Sequence, residues 1–583
     1  MKSQKHFRMS IARDQLVVLL AGLLACAGSL QLARASSINA MSTALPSSFN
    51  PGHMLLLPDG RVMVQTDGGS AWEFLSPDGS GHYGDGTWSS CPSMNYSREF
   101  YSSDVLQNGK VFVAGGEYNA DGTFGEPDGA KAEVFDPQAN NGAGSWTEVD
   151  PPTSLLDPSL AAFSPYGGYN QGFADSESVV VADGNVLVAP VFPGILDGTL
   201  LYNPFNNTWS AGGTSATYNQ DEASWVKLPD DSILTIDPYG TDCQRYLPAS
   251  NTWIQDATVP INLYSTNSEI GASLLMANGK VLYVGGNNQT EIYTPSPLGG
   301  NNNGSWSPGP NLPGSLVMRD APSCVLNNGK LLLALVPPTG DSPIYLYEYD
   351  PNANSFNFVF EDTSGQISDR CAMIQLPDGD VLFDDTHVVY DYTPDPSPLA
   401  AGQPQINKVQ WNPDGTLHLT GTVFNGISQG AMYGDDQQQD SNYPLVKFTS
   451  GGNVYYGRTY NWSSTSVATG GKVVTTEVAL PPAVFDFPNS YTLQVVANGN
   501  ASAPVSFYGP VWVDVNNYNS FFEFGYFQFP YGTLPQGVSA VASGGTVAFD
   551  ASTQPSTATV SVPYTISTPM TIISVYGPTT ITQ

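Results

Sequence analysis

The sequence predicts an all-β chain: a seven-bladed propeller, an immunoglobulin-like β-sandwich behind it, and a short β-rich, β-helix-like tail. Three observations lead there: a turn that recurs seven times at nearly constant spacing, a change to longer strands after residue 404, and a composition poor in charge. Charged residues are 12% of the 583 positions, while glycine (59) and proline (46) are abundant. That bias suits many short strands joined by polar turns.

The chain opens with Lys2, Lys5, Arg8 and Arg13, continues through an apolar stretch from Leu16 to Leu30, and reaches Ala33-Arg34-Ala35 before Ser36. This is the pattern of a cleavable secretory signal, residues 1–35, and implies a secreted, extracellular or periplasmic product. A second reading makes it a lipoprotein anchored through Cys26, because Leu23-Leu24-Ala25-Cys26 resembles a bacterial lipobox. Without the leader the balance is 14 basic against 51 acidic residues, near −37. Such a charge repels nucleic acid and anionic membrane, and no later apolar run is long enough to span a bilayer. Four cysteines remain, Cys91, Cys243, Cys324 and Cys371, without the paired spacing of a zinc site. Buried free thiols are one reading; export also permits disulfides, with Cys324 and Cys371 the first pair to test.

The propeller is predicted over 36–397. Its unit is an apolar strand, an Asp-Gly or Asn-Gly turn, a second apolar strand, then a Tyr/Phe-Asp/Asn-Pro turn and an aromatic. The turn falls at Gly60, Gly109, Gly184, Asp231, Gly279, Gly329 and Gly379, with gaps of 49, 75, 47, 48, 50 and 50 residues. A period near 50 with four short strands per unit is a propeller pattern, and the wide gap implies an insertion within 138 to 175. Trp88, Trp146, Trp209, Trp253, Trp306 and Phe356 open the fourth strands, where packing between blades is expected. The seventh unit has no such strand. The segment Met41–Pro46 looks like the one that follows Trp306, so the N-terminus is expected to supply the missing strand and close the ring.

After a proline-rich linker, longer strands at Leu417 to Val423, Leu445 to Phe448, Val473 to Leu480 and Tyr491 to Ala497 predict the sandwich, residues 405–510. An aromatic-rich linker and short, evenly spaced apolar runs occupy 511–583, and one or two coils there would need another surface to cover them.

These turns and aromatics resemble the kelch superfamily, and the order of propeller then sandwich is similar to galactose oxidase and its bacterial relatives, over about 37 to 510. The resemblance implies a copper ion held by two tyrosines and two histidines, one tyrosine being cross-linked to a cysteine. At the matching offsets this chain has Phe100, then Asp369 and Arg370, then Thr459-Tyr460, and no Tyr-His dipeptide occurs anywhere. His53, His82, His387 and His418 are the histidines beyond the leader, and ordinary surface or core roles are expected of His387 and His418. The matched positions keep the fold expectation and remove the copper ligands. No metal and no cofactor are expected.

In a propeller the first strand of each blade lines the central channel, so the residues at the starts of these strands converge on one mouth. The residues ten and nine positions before each turn, with Arg98 one further out, give the candidate binding set: Arg98, Glu99, Asp175, Asp221, Glu222, Glu269, Arg319, Asp320, Asp369 and Arg370. Carboxylates so gathered repel one another and raise their pKa values unless a cation offsets them. Arginine can also grip a carboxylate or a hydroxyl pair in forked geometry. Polar strand starts that only keep a channel mouth wet are the structural alternative. The expected function is binding of an extracellular ligand, a glycan or another polar molecule, at this mouth. The alternative is a metal-independent carbohydrate-active enzyme with paired carboxylates, Asp221, Glu222 and Glu269 first among them; a copper oxidase ranks behind both. An acidic loop at Asp435-Asp436 has oxygen ligands for calcium but lacks a known loop order, and a plain turn is expected. Asn-x-Ser/Thr triplets occur at Asn95, Asn206, Asn288, Asn303, Asn461 and Asn500, and matter only in a glycosylating host.

Overall fold

The computed structural model describes residues 36–118, 131–155, 177–189, 198–214, 220, 223–265, 270–395, 397–432, 438–552, 556–560 and 564–582. Seven antiparallel sheets form the blades of a propeller. The first blade shows the plan: Pro51–Leu56 pairs with Val62–Thr66, then Trp72–Ser76, then Thr87–Cys91. The innermost strands of the next six blades are Ser102–Val105, Ser178–Val180, Val226–Lys227, Ser273–Leu275, Ser323–Val325 and Ala372–Gln375. All are buried.

The repeated turn works as its chemistry requires. Gly60 has φ +83°, and an added Cβ would lie 2.5 Å from the Tyr456 ring, so both conformation and space demand glycine. Asp231, the one exception in the series, takes φ 69° without it, a conformation that aspartate tolerates better than most residues.

Two devices hold the blades together. Ser37–Ala40 pairs antiparallel with Val389–Thr393 as the fourth strand of the last blade, from Ser37 opposite Thr393 to Ala40 opposite Tyr390. The first and last parts of the ring thus share one sheet. The fourth-strand tryptophans supply the other device. Trp146 Nε1 donates to Pro92 O (2.8 Å), Trp209 Nε1 to Val149 O (2.5 Å) and Trp306 Nε1 to Ala257 O (2.7 Å), each a carbonyl at the end of the preceding blade. Each ring fills an inter-blade gap while its N–H ties off a loop carbonyl.

Beyond the linker, Gln405–Trp411, Leu417–Thr422, Val474–Ala479, Asn453–Tyr460, Leu445–Ser450 and Ser490–Ala497 follow one another in a continuous antiparallel path, extended by Asn500–Ala501 and Val505–Tyr508. Leu417, Leu419, Phe448, Val478, Leu493 and Phe507 share one core, so the path folds over its own apolar face. This body packs on the turn side of the propeller, where Thr459 N donates to Pro58 O at 3.1 Å. From it a hairpin, Gly430–Met432 and Gln438–Asp440, enters the channel and extends the sixth blade inward, Met432 lying opposite Ser323. The tail differs in kind: Val511–Val513, Thr546–Asp550 and Thr571–Val575 form a parallel ladder, and Ser556–Thr559 pairs parallel with Thr579–Thr582. Trp512 seals it to the preceding body against Phe485 and Phe527, with ring centroids 4.8 Å away in both cases.

The inter-blade role of the tryptophans predicts that Trp306→Ala lowers unfolding free energy by about 3–5 kcal/mol. Trp306→Phe, which loses chiefly the hydrogen bond, should cost roughly 1 kcal/mol. Chemical denaturation of the two variants beside the parent checks both.

Candidate functional site

The inner strands begin at one face of the ring, and there residues of the first, second and seventh blades line an open cleft. Its floor is built from groups whose hydrogen bonds are internal. Tyr101 OH donates to Gln65 Oε1 (2.6 Å), and Gln65 Nε2 donates to Gly69 O (2.6 Å) and Arg98 O (2.8 Å). His53 stands edge-on to Tyr101, 5.2 Å between centroids, with Nε2 2.8 Å from Ser103 Oγ and Nδ1 3.3 Å from Gln439 Nε2 of the channel hairpin. One imidazole thus joins two blades to the hairpin.

The charged groups stand on this floor. Arg370, in the short turn of helix Ser368–Arg370, places Nη2 3.0 Å from Glu99 Oε1 and Nη1 3.3 Å from Asp67 Oδ2. Asp369 completes the set. Burial drives all three carboxyls upward against the pull of Arg370: Asp67 is raised, Glu99 is raised to about 7 and Asp369 to about 6, with mutual repulsion adding to the last two. The rim is held in an unusual conformation, Phe100 having φ 52°. Glu99 N donates to Tyr118 O (3.0 Å) and Glu117 N to Glu99 O (2.8 Å), which over-determines that strain. Asp320, at the same offset in the sixth blade, also has positive φ, 25°.

Of the residues the sequence placed at the mouth, the cleft brings together Glu99, Asp369 and Arg370. Arg98 borders it but turns its guanidinium away, so its assignment as a binding residue is corrected. Nη2 meets Glu133 Oε2 at 3.0 Å, with the two side chains 2% and 0% exposed, and Nη1 donates to Gly115 O and Lys131 O. Side chains alternate along an extended segment, and one position further out reverses the direction. Arg319 pairs with Asp341 and, with Asp320, stands outside this cleft. Asp175, Asp221, Glu222 and Glu269, like Asp435 and Asp436, lie outside the described residues.

Sequence reasoning did not single out Asp67 or Gln65, because it counted only first strands, whereas both sit at the end of the second strand of the first blade. The signal was present in the Gly68-Gly69 pair that follows them. Thr459-Tyr460, the match to the remaining histidine position of the resemblance, meets Pro58 at the turn side, and the hairpin through Gln439 is what enters the channel. The donor set does not fit the copper that the resemblance implies. Phe100 has no ligating atom, Arg370 brings a positive charge, and among the described residues no three His, Cys, Asp or Glu side chains gather as metal ligands. His387 contacts Thr386 (3.1 Å) and His418 contacts Glu477 (2.7 Å), both ordinary partners. Cys91, Cys243, Cys324 and Cys371 are buried free thiols, so Cys324 and Cys371 are not bonded to each other.

Removing one partner of the buried Arg98–Glu133 pair strands a charge, so Arg98→Ala should lower unfolding free energy by about 3–5 kcal/mol. Glu99 binds its proton more tightly folded than unfolded, so the folded chain carries the extra proton between pH 4.5 and about 7. Stability should fall as pH rises through that window, and Glu99→Gln should flatten the fall by roughly 1–3 kcal/mol in melts recorded at both ends.

No protein-family profile matches the chain, and no curated protein matches it. Among solved structures it is similar to a fungal alcohol oxidase of the AA5 family in complex with copper, at 13% identity and TM-score 0.46, covering 82% of this chain and all of the other. It is also similar to a streptogramin B lyase, at 12% identity and TM-score 0.40, covering 61% of this chain and 97% of that one. A third is a catalytically inactive variant of virginiamycin B lyase from Staphylococcus aureus with quinupristin, at 11% identity and TM-score 0.40, covering 61% and 99%. The sheets of this chain themselves, among the described residues, make it an all-β protein with a seven-bladed propeller.

Proposed function

We propose that this chain is an exported, kelch-type propeller that binds an extracellular carbohydrate at the channel mouth, with the antiparallel body behind it an immunoglobulin-like sandwich and the parallel tail a β-helix-like cap. The observation that carries the binding reading is Arg370: its side chain is 41% exposed yet held between Asp67 and Glu99 over a floor whose own hydrogen bonds are internal. A guanidinium fixed by carboxylates presents donors and acceptors side by side, the combination that grips neighbouring hydroxyls. Phe100 adds an apolar wall to the same cleft, as ligand sites with a few placed polar groups commonly have. The strong negative charge of the chain argues against nucleic acid as the ligand.

One observation favours the enzymatic alternative. Glu99 and Asp369, raised to about 7 and about 6, sit in the pKa range from which a carboxyl can donate a proton near neutrality. Two carboxyls in one cleft are the equipment of glycosidic bond hydrolysis.

A glycan array combined with a polysaccharide-digestion screen separates the readings. The parent chain should retain a glycan without releasing product, and Arg370→Ala should weaken retention about tenfold, the worth of a charged hydrogen bond. Product released by the parent and lost in Glu99→Gln would replace binding with catalysis, and neither retention nor product would overturn both.

A further inference from the structure

We infer that the mouth selects a carbohydrate carrying a primary ammonium group, that is, an amino sugar; the inference rests on the carbohydrate reading above. Three carboxylates, Asp67, Glu99 and Asp369, share the cleft with a single outward guanidinium. Arg370 divides itself between the first two, and Asp369 is left with an Oδ1 that is buried and has no hydrogen-bond partner. Glu99 is 7% exposed, and its Oε1 lies 3.0 Å from Arg370 Nη2 without an aligned hydrogen bond. The cation of the neighbouring blade, Arg319, is already paired with Asp341. The fully buried Asp384, on which the charge of Asp67 acts, has another carboxyl oxygen without a hydrogen-bond partner.

Two needs are therefore open at one place: hydrogen-bond donors for buried carboxylate oxygens, and positive charge for a cleft with more acids than bases. A sugar hydroxyl meets the first alone. An ammonium meets both, with three donors on a compact charge, and hydroxyls on adjoining carbons remain for the exposed guanidinium of Arg370. The charge of −33 on the whole chain draws such a ligand toward the opening.

The probes are β-1,4-linked glucosamine tetramer, its fully N-acetylated counterpart and cellotetraose, which differ only at the second carbon of each ring, titrated calorimetrically at near-neutral pH. The glucosamine tetramer should bind at least about tenfold more tightly than either neutral tetramer at low salt. That ratio should shrink as salt is raised and approach one in Asp369→Asn combined with Glu99→Gln. Equal affinities, or preference for a neutral tetramer, overturn the ammonium inference and leave carbohydrate binding standing. Retention of none of the three also overturns it, and carbohydrate binding is then decided by the array. If the double variant melts early, the parent chain settles the matter: a ratio unmoved by salt overturns the inference.

Discussion

Four residue pairs between Ser37–Ala40 and Val389–Thr393 close the ring, and the rest of the molecule depends on that closure. A row of blades left open would expose an unpaired strand edge at each end. Once the ring is shut, the seven inner strands have nowhere to begin except around one opening, and whatever residues precede them become neighbours regardless of their separation in sequence. Glu99 and Arg370, from the second and seventh blades, meet at 3.0 Å for this reason. The same constraint buries the carboxyls at this opening, and burial, with repulsion added for Glu99 and Asp369, raises their proton affinities.

Closure alone would leave a polar shaft through the molecule, and the hairpin from the C-terminal body fills it. Filling it buries charge: Lys227 is 1% exposed, with Nζ donating to Thr465 O at 2.8 Å, and Asp440 on the hairpin faces the same interior. Burial lowers the pKa of Lys227 and raises that of Asp440 to about 6, each partly opposed by the other's charge. A pair held this way is poor in stability but sensitive to register, since a slip by one residue would strand both charges. The hairpin is therefore specified as well as seated.

The propeller was legible because its turn is a chemical requirement repeated seven times, visible at Gly60 as a positive φ and at Trp306 as a ring at a fixed place in the unit. The inner-strand count named Glu99, Asp369 and Arg370, which line one cleft of the candidate site. It failed at Arg98 because spacing fixes where a backbone lies, whereas the direction of a side chain depends on alternation within the strand. It missed Asp67 because the cleft is walled by two strands of one blade, and a repeat read along its first strand has no view of the second. The hairpin was hidden for a different reason: its place in the channel is set by packing between separate bodies, and short polar segments such as Gln438–Asp440 carry no periodic mark of that contact.

The hairpin also decides the topology of recognition. With Gln439 lodged beneath His53, the opening is a well with a floor instead of a tube. Among the described residues, the hairpin stands across the shaft between the two faces of the ring. On the carbohydrate reading proposed above, a polymer reaches that floor only through a terminus or a projecting branch, so the abundance of chain ends, more than total mass, would set how many copies of this protein it carries.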